Sequence, residues 1–298
     1  MKLAALAAAL VLLIGAGLAA WRPLAAFSLM VPEDAGSRRV AKGLAYGPDP
    51  RQKLDVYAPV GGGRDLPVVV FFYGGAWDSG RRQDYGFAGR ALAARGYVVV
   101  VPDYRLVPEV HFPDFLRDCA QAVRWARREA GRYGGDGGRV VLAGHSAGAY
   151  NAAMLALDPR WLGADRAAVR GLVALAGPFD FLPLDDPASI ATFSRWPRLA
   201  ETQPITFAGA GAPPALLLHG ADDERVRPRN SQRLKAALDR AGTRAVLKLY
   251  PAMTHAGILL ALSRPWRGGA PVLEDVDRFV REVAGSHPLG AGHRLARP

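Results

Sequence analysis

The sequence has a single cysteine, Cys119, so no intrachain disulfide can staple the fold, and its place in a run of helical periodicity reads as a small core residue. Long runs of one charge are also missing. The formal net charge is +11, nearly all of the positive charge is arginine, and it is scattered in singles and pairs such as Arg38-Arg39, Arg81-Arg82 and Arg127-Arg128. No aromatic residues are interleaved with a basic stretch, so the phosphate-tracking surface of a nucleic-acid binder is not expected. Glycine is plentiful but forms no phosphate cradle: Gly61-Gly62-Gly63 reads as a loop and Gly131 to Gly138 as a turn from helix to strand, with no Lys-Ser/Thr after either. Internal repeats are absent.

The N-terminus is distinctive. Lys2 precedes an uncharged stretch from Leu3 to Trp21, and Arg22 closes it, the pattern of a segment that addresses a protein for export. Gly17-Leu18-Ala19 offers the small residues a signal peptidase reads, while the stretch is also just long enough to span a bilayer. Residues 1–21 are therefore expected to be either a cleaved signal or a membrane anchor, with the rest of the chain on the extracytoplasmic side.

From about residue 40 to 285, apolar strand-like runs alternate with helical patterns, which implies an α/β fold with a mostly parallel twisted sheet flanked by helices. Lys53 to Tyr57 alternates with period two and suits an early, partly exposed strand. Pro67 to Phe72, Tyr97 to Val101, Val140 to Ala143, Leu172 to Ala176 and Ala215 to Leu218 are continuous apolar runs, as expected of strands covered on both faces. Phe87 to Ala94, Phe115 to Arg132, Ala147 to Leu157 and Asn230 to Ala241 read as the covering helices. The segment Gly177 to Pro213 breaks the rhythm and carries Phe179, Phe181, Phe193 and Trp196, so a small cap over the site is expected there. Those four rings predict a short acyl slot. Residues 286–298 read as a disordered tail.

Chemistry is concentrated at Gly144-His145-Ser146-Ala147-Gly148, a Gly-x-Ser-x-Gly string with an apolar strand before it and an Ala-rich helix after it. A serine on such a turn needs glycines beside it, because side chains there would clash with the tight backbone, and the helix N-terminus behind it favours a developing oxyanion. Ser146 is the candidate nucleophile. A serine hydroxyl also needs a base and an orienting carboxylate, which follow it in the chain in the order acid, then histidine. That order excludes His111; His219 lies at a strand end and reads as structural; His287 and His293 lie in the tail. His255, in the loop Pro251 to Gly257, is left as the base. The acid falls in His219 to Val226, where strand-end position alone does not separate Asp222 from Asp223; Asp223 is preferred. Tyr73-Gly74-Gly75-Ala76-Trp77 follows an early strand, and the N–H groups of Gly74, Gly75 and Ala147 are the expected oxyanion hole.

Together these residues resemble the α/β-hydrolase superfamily, and within it bacterial carboxylesterases related to hormone-sensitive lipase and to the feruloyl-esterase-like BD-FAE enzymes. The resemblance covers about residues 45 to 260. It rests on Tyr73 to Trp77 where the family has His-Gly-Gly-Gly/Ala-Trp, on Pro102-Asp103-Tyr104-Arg105-Leu106 with Phe112-Pro113 beyond, on the elbow, and on Gly220-x-x-Asp223-x-x-Val226 with the loop to His255. It implies a serine carboxylesterase acting on short-chain or aryl esters as small-molecule substrates through an acyl-enzyme, with no metal and no cofactor. It supports Asp223 as the acid and gives Asp103 and Arg105 structural duties beneath the oxyanion loop. Tyr73 departs from the usual histidine, a bracing position. Related Gly-Gly-x-Trp loops in kynurenine formamidase relatives make an arylformamidase the alternative, and a catalytically silent binding module the remaining one.

Overall fold

A computed structural model describes residues 23–285; the expected leader at 1–21 and the expected tail at 286–298 lie outside the described residues. Among the described residues no helix is long and apolar enough to cross a membrane. Eight strands make one sheet: β1 (Ser37–Ala45), β2 (Lys53–Pro59), β3 (Leu66–Phe72), β4 (Val98–Pro102), β5 (Gly135–His145), β6 (Val169–Leu175), β7 (Ala215–Gly220) and β8 (Ala245–Tyr250). Their order across the sheet is β1-β2-β4-β3-β5-β6-β7-β8. β2 is antiparallel to both its neighbours, and every other pair is parallel.

The valine-rich middle strands explain this arrangement. Val68 to Val70, Val98 to Val101 and Val140 to Leu142 are wholly buried, and β-branched side chains favour an extended chain whose two faces are both covered. The helix Asp114–Glu129 turns Phe115, Cys119, Ala122, Val123 and Ala126 inward at three- and four-residue spacing, which makes Cys119 a core residue. The helix Ala147–Leu157 is buried along its whole length, with Asn151 as its one amide side chain.

Three elements were not expected. β1 reads as polar because it is the outer strand, and register shifts around Ala41 break its alternation. The helix Val272–Ala284 buries Val272, Leu273, Val276, Phe279 and Val280, and the short helix Pro23–Met30 opens the described residues. β2 also corrects the expectation of a partly exposed strand. Only Lys53 is exposed, because β1 covers the outer edge and the carboxylate of Asp55 is buried against Arg82, its Oδ1 2.9 Å from Nε. An alternating polar residue is thus a buried ion pair.

The segment Gly177 to Pro213 runs between β6 and β7 as the helix Pro187–Phe193 and short 3₁₀ turns. Its aromatics divide. Phe179 and Phe193 are fully buried, and Phe193 meets Trp77 edge-on at 4.8 Å and Tyr150 at 5.3 Å. The expected wall of four rings is therefore corrected to one, Phe181, because the others of that set pack away from the cleft beside the serine.

Candidate active site

β5 ends at His145, and Ser146 follows with φ 55° and ψ −125°, a left-handed strained conformation between strand and helix. The neighbouring glycines are sterically required. A Cβ on Gly144 would lie 2.3 Å from the Gly148 oxygen, and one on Gly148 would lie 2.1 Å from the Phe72 oxygen. The turn therefore lifts Ser146 above the carboxyl end of the sheet.

Two other strand ends converge there. The Ser146 hydroxyl donates to His255 Nε2 at 2.9 Å, and His255 Nδ1–H donates to Asp223 Oδ2 at 2.7 Å. The tautomer is set by this network, since the nitrogen facing a carboxylate must carry the proton. Asp223 is almost fully buried whereas Asp222 and Glu224 are exposed, which separates the three adjacent carboxylates. Burial by itself raises the Asp223 pKa, but hydrogen bonds from His219 and His255 and from the Val226 N–H outweigh it and hold the carboxyl well below its ordinary range. Asp223 Oδ1 accepts from the N–H of Arg225 at 3.0 Å and of Val226 at 2.8 Å, so both oxygens are filled.

Sequence reasoning gave no site role to two histidines. His219, at the end of β7, places Nε2 3.2 Å from Asp223 Oδ2 and 2.7 Å from the Val226 oxygen, while its Nδ1 faces Ser231 Oγ at 2.7 Å. It closes the acid loop from within the core. His145 is buried beside His255, with ring centroids 4.8 Å apart, and its Nε2–H donates to the His255 carbonyl at 3.0 Å. Burial first, and then the nearby His255, lower the His145 pKa to about 3, so it stays neutral. The only available signal for either was adjacency to the two motifs.

The oxyanion loop corrects one expectation. The Gly74 N–H donates to the Tyr85 hydroxyl at 3.1 Å rather than pointing to a ligand. Gly74 is instead required by crowding, because a Cβ there would lie 2.9 Å from both the His145 oxygen and Ser146 Cβ. Beyond it Gly75 has φ 129°, and Ala76 and Trp77 have φ 50° and 62°. Two successive left-handed non-glycine residues are a strained turn, held by Trp77 Nε1–H donating to Asn151 Oδ1 at 3.1 Å. Tyr73 braces the loop from below. It is fully buried, stacks on Tyr104 at 4.6 Å, and its hydroxyl accepts from Arg51 Nη2 at 3.1 Å. Asp103 accepts from the Arg82 N–H at 2.7 Å and Arg105 forks onto Asp118, so both hold the framework.

Ser146 lies between two clefts. The larger, about 940 Å³, is bordered by Trp77, Phe181 and the 185–189 and 224–232 stretches. The smaller, about 370 Å³, is bordered by Leu24, Ala25, Gly74, Gly75, Tyr85 and His255. Among the described residues no group of His, Cys, Asp and Glu is arranged to hold a metal ion.

A mostly parallel sheet with helices on its faces, carrying a strained serine at the end of β5 and an acid and a histidine after later strands, is the α/β-hydrolase fold. The fold is matched by a truncated form of a carbohydrate esterase from gut microbiota, with a TM-score of 0.75 at 20% identity over 86% of this chain and all of that one. The chain belongs to the BD-FAE family, whose model matches residues 54–238. Among its relatives, the probable isoprenylcysteine alpha-carbonyl methylesterase ICME of Oryza sativa subsp. japonica is 31% identical over 272 residues, 83% of this chain and 63% of that protein. Esterase LipC of Mycobacterium tuberculosis is 32% identical over 206 residues, 60% of this chain and 50% of that protein. The chain thus spans about six tenths of the length of the first curated relatives it matches.

Proposed function

We propose that this protein is a serine carboxylesterase. The observation that carries the reading is the continuous relay from Ser146 through His255 to Asp223, at 2.9 and 2.7 Å. Ser146 Oγ attacks the ester carbonyl while His255 takes its proton, and His255 returns that proton to the departing alcohol; water then cleaves the acyl-enzyme by the same route. Asp223 fixes the imidazole tautomer. With the Gly74 N–H engaged by Tyr85, the oxyanion falls to Gly75 and Ala147, with the Ala76 N–H one register further along the strained turn. The names of the relatives, esterases and carboxylic ester hydrolases, support ester over amide as the substrate bond. A fluorophosphonate should label the protein at Ser146 and Ser146→Ala should lose labelling and ester hydrolysis together; equal labelling of that variant removes the assignment.

Residues 40–285 form the catalytic domain in this reading, with Gly177 to Pro213 as its cap. The apolar stretch Leu3 to Trp21 supports export, as a cleaved signal or a membrane anchor. Cell fractionation of the full chain and of a form lacking residues 2–21 tests the address: recovery of both in the cytoplasm removes it.

A further inference from the structure

The two clefts beside Ser146 differ in volume, in lining and in access to His255, and together these differences orient the substrate. Breakdown of a tetrahedral intermediate needs a proton on the departing alcohol oxygen, so the alcohol must lie on the side of Ser146 from which His255 Nε2 is reached. His255 borders the smaller cleft and not the larger one. The acyl half must then extend the other way, past Ala147 and Trp77, into the cavity of about 940 Å³. The alcohol side has less than half that volume, about 370 Å³, and is bordered by Leu24 and Ala25 of the helix Pro23–Met30.

The lining of the larger cleft adds to this. Trp77 and Phe181 give it apolar walls near the serine. On its exposed rim Arg227 and Arg229 border it, and neither has a side-chain hydrogen bond or ion pair among the described residues, while Arg225 borders both clefts. Asp185 and Glu224 lie on the same rim. A rim that carries both charges suits an acid bearing polar or ionised groups beyond an apolar first stretch, and it does not suit a long lipid tail.

Resting on the hydrolase reading above, we infer that the substrate class is esters of small alcohols with bulky acids that are apolar next to the carbonyl and polar further out. The helix Pro23–Met30 limits the alcohol, and the segment 177–213 with the 224–232 stretch receives the acid. The protein therefore sorts esters mainly by which half is large.

The test is a pair of isomers with the halves exchanged, ethyl 4-phenylbutyrate and 4-phenylbutyl acetate, assayed on the full-length wild-type protein alongside fluorophosphonate labelling of Ser146. The ethyl ester should have the higher kcat/KM by at least about tenfold, the size of effect a few misplaced methylenes produce. Ala188→Trp, which narrows the larger cleft, should lower that ratio by about tenfold, and Leu24→Trp, which narrows the smaller one, should raise it. A protein that is labelled yet prefers the acetate, or turns over neither isomer, overturns the orientation. Loss of labelling in the wild type overturns the hydrolase reading itself, so the two failures are told apart. Movement of the ratio in the same direction by both tryptophan variants also overturns the assignment of separate clefts.

Discussion

The Nε2–H of His145 donates to the main-chain carbonyl of His255 at 3.0 Å, so the residue before the serine holds the backbone of the residue that receives the serine's proton. Burial lowers the His145 pKa to about 3, so the ring that makes this bond is neutral at neutral pH. His145→Ala should lower kcat by about 10- to 100-fold, since the His255 carbonyl loses its brace. His145→Gln, which keeps a donor near the Nε2 position, should recover most of it. Full kcat in the alanine variant refutes the positioning role.

The same histidine makes stability depend on pH. A histidine whose folded pKa lies near 3 is neutral in the folded protein but takes up a proton in the unfolded chain below about pH 6.5. The unfolded state then binds more protons, so stability rises with pH between about 3 and 6.5 and falls on acidification through that window. Urea midpoints should drop between pH 7 and 4.5, and the drop should be smaller in His145→Gln by an amount on the order of 1 to 3 kcal/mol. Equal slopes in the two proteins exclude His145 as the source.

Asp222 and Asp223 are adjacent but differ in surroundings, one exposed and the other enclosed by two histidines and two backbone N–H groups. Asp223→Asn should lower kcat by roughly 10³ to 10⁴, as expected when the imidazole loses its tautomer. Asp222→Asn should change it less than about tenfold. The reverse ranking in steady-state kinetics reassigns the acid.

At Gly74 the constraint is steric rather than electronic. A methyl group there meets the His145 carbonyl and Ser146 Cβ at 2.9 Å, and neither atom can move without shifting the nucleophile. Gly74→Ala should therefore depress kcat at least about tenfold and destabilise the fold by about 1 to 3 kcal/mol. Tyr85→Phe, which removes only the acceptor of the Gly74 N–H, should cost less in both assays.

What could be read from sequence follows from how local each feature is. The elbow at Ser146 is legible because strand, tight turn and helix are contiguous, and His255 and Asp223 because the fold fixes their order in the chain. The engagement of the Gly74 N–H is not legible because its acceptor, the Tyr85 hydroxyl, lies eleven residues further along and is brought to it only by the folded loop. His219 acquires its role only when the acid loop folds back to place Val226 and Ser231 beside it. The aromatics of the 177–213 segment point in different directions because short turns, rather than one continuous helix, set their orientation: Phe193 meets Trp77 and Tyr150, residues far away in the chain, while Phe181 faces the cleft.

The walls of the two clefts come largely from different stretches of the chain, Leu24 and Ala25 on one side and residues 185–189 and 226–232 on the other, while Ala76, Ser146 and Arg225 border both. Substitutions confined to the unshared walls reshape one cleft and leave the other untouched, so the two halves of substrate choice can drift, be selected or be exchanged between homologues independently. A library confined to residues 177–213 explores new acids on a fixed alcohol, and one confined to the helix Pro23–Met30 does the opposite.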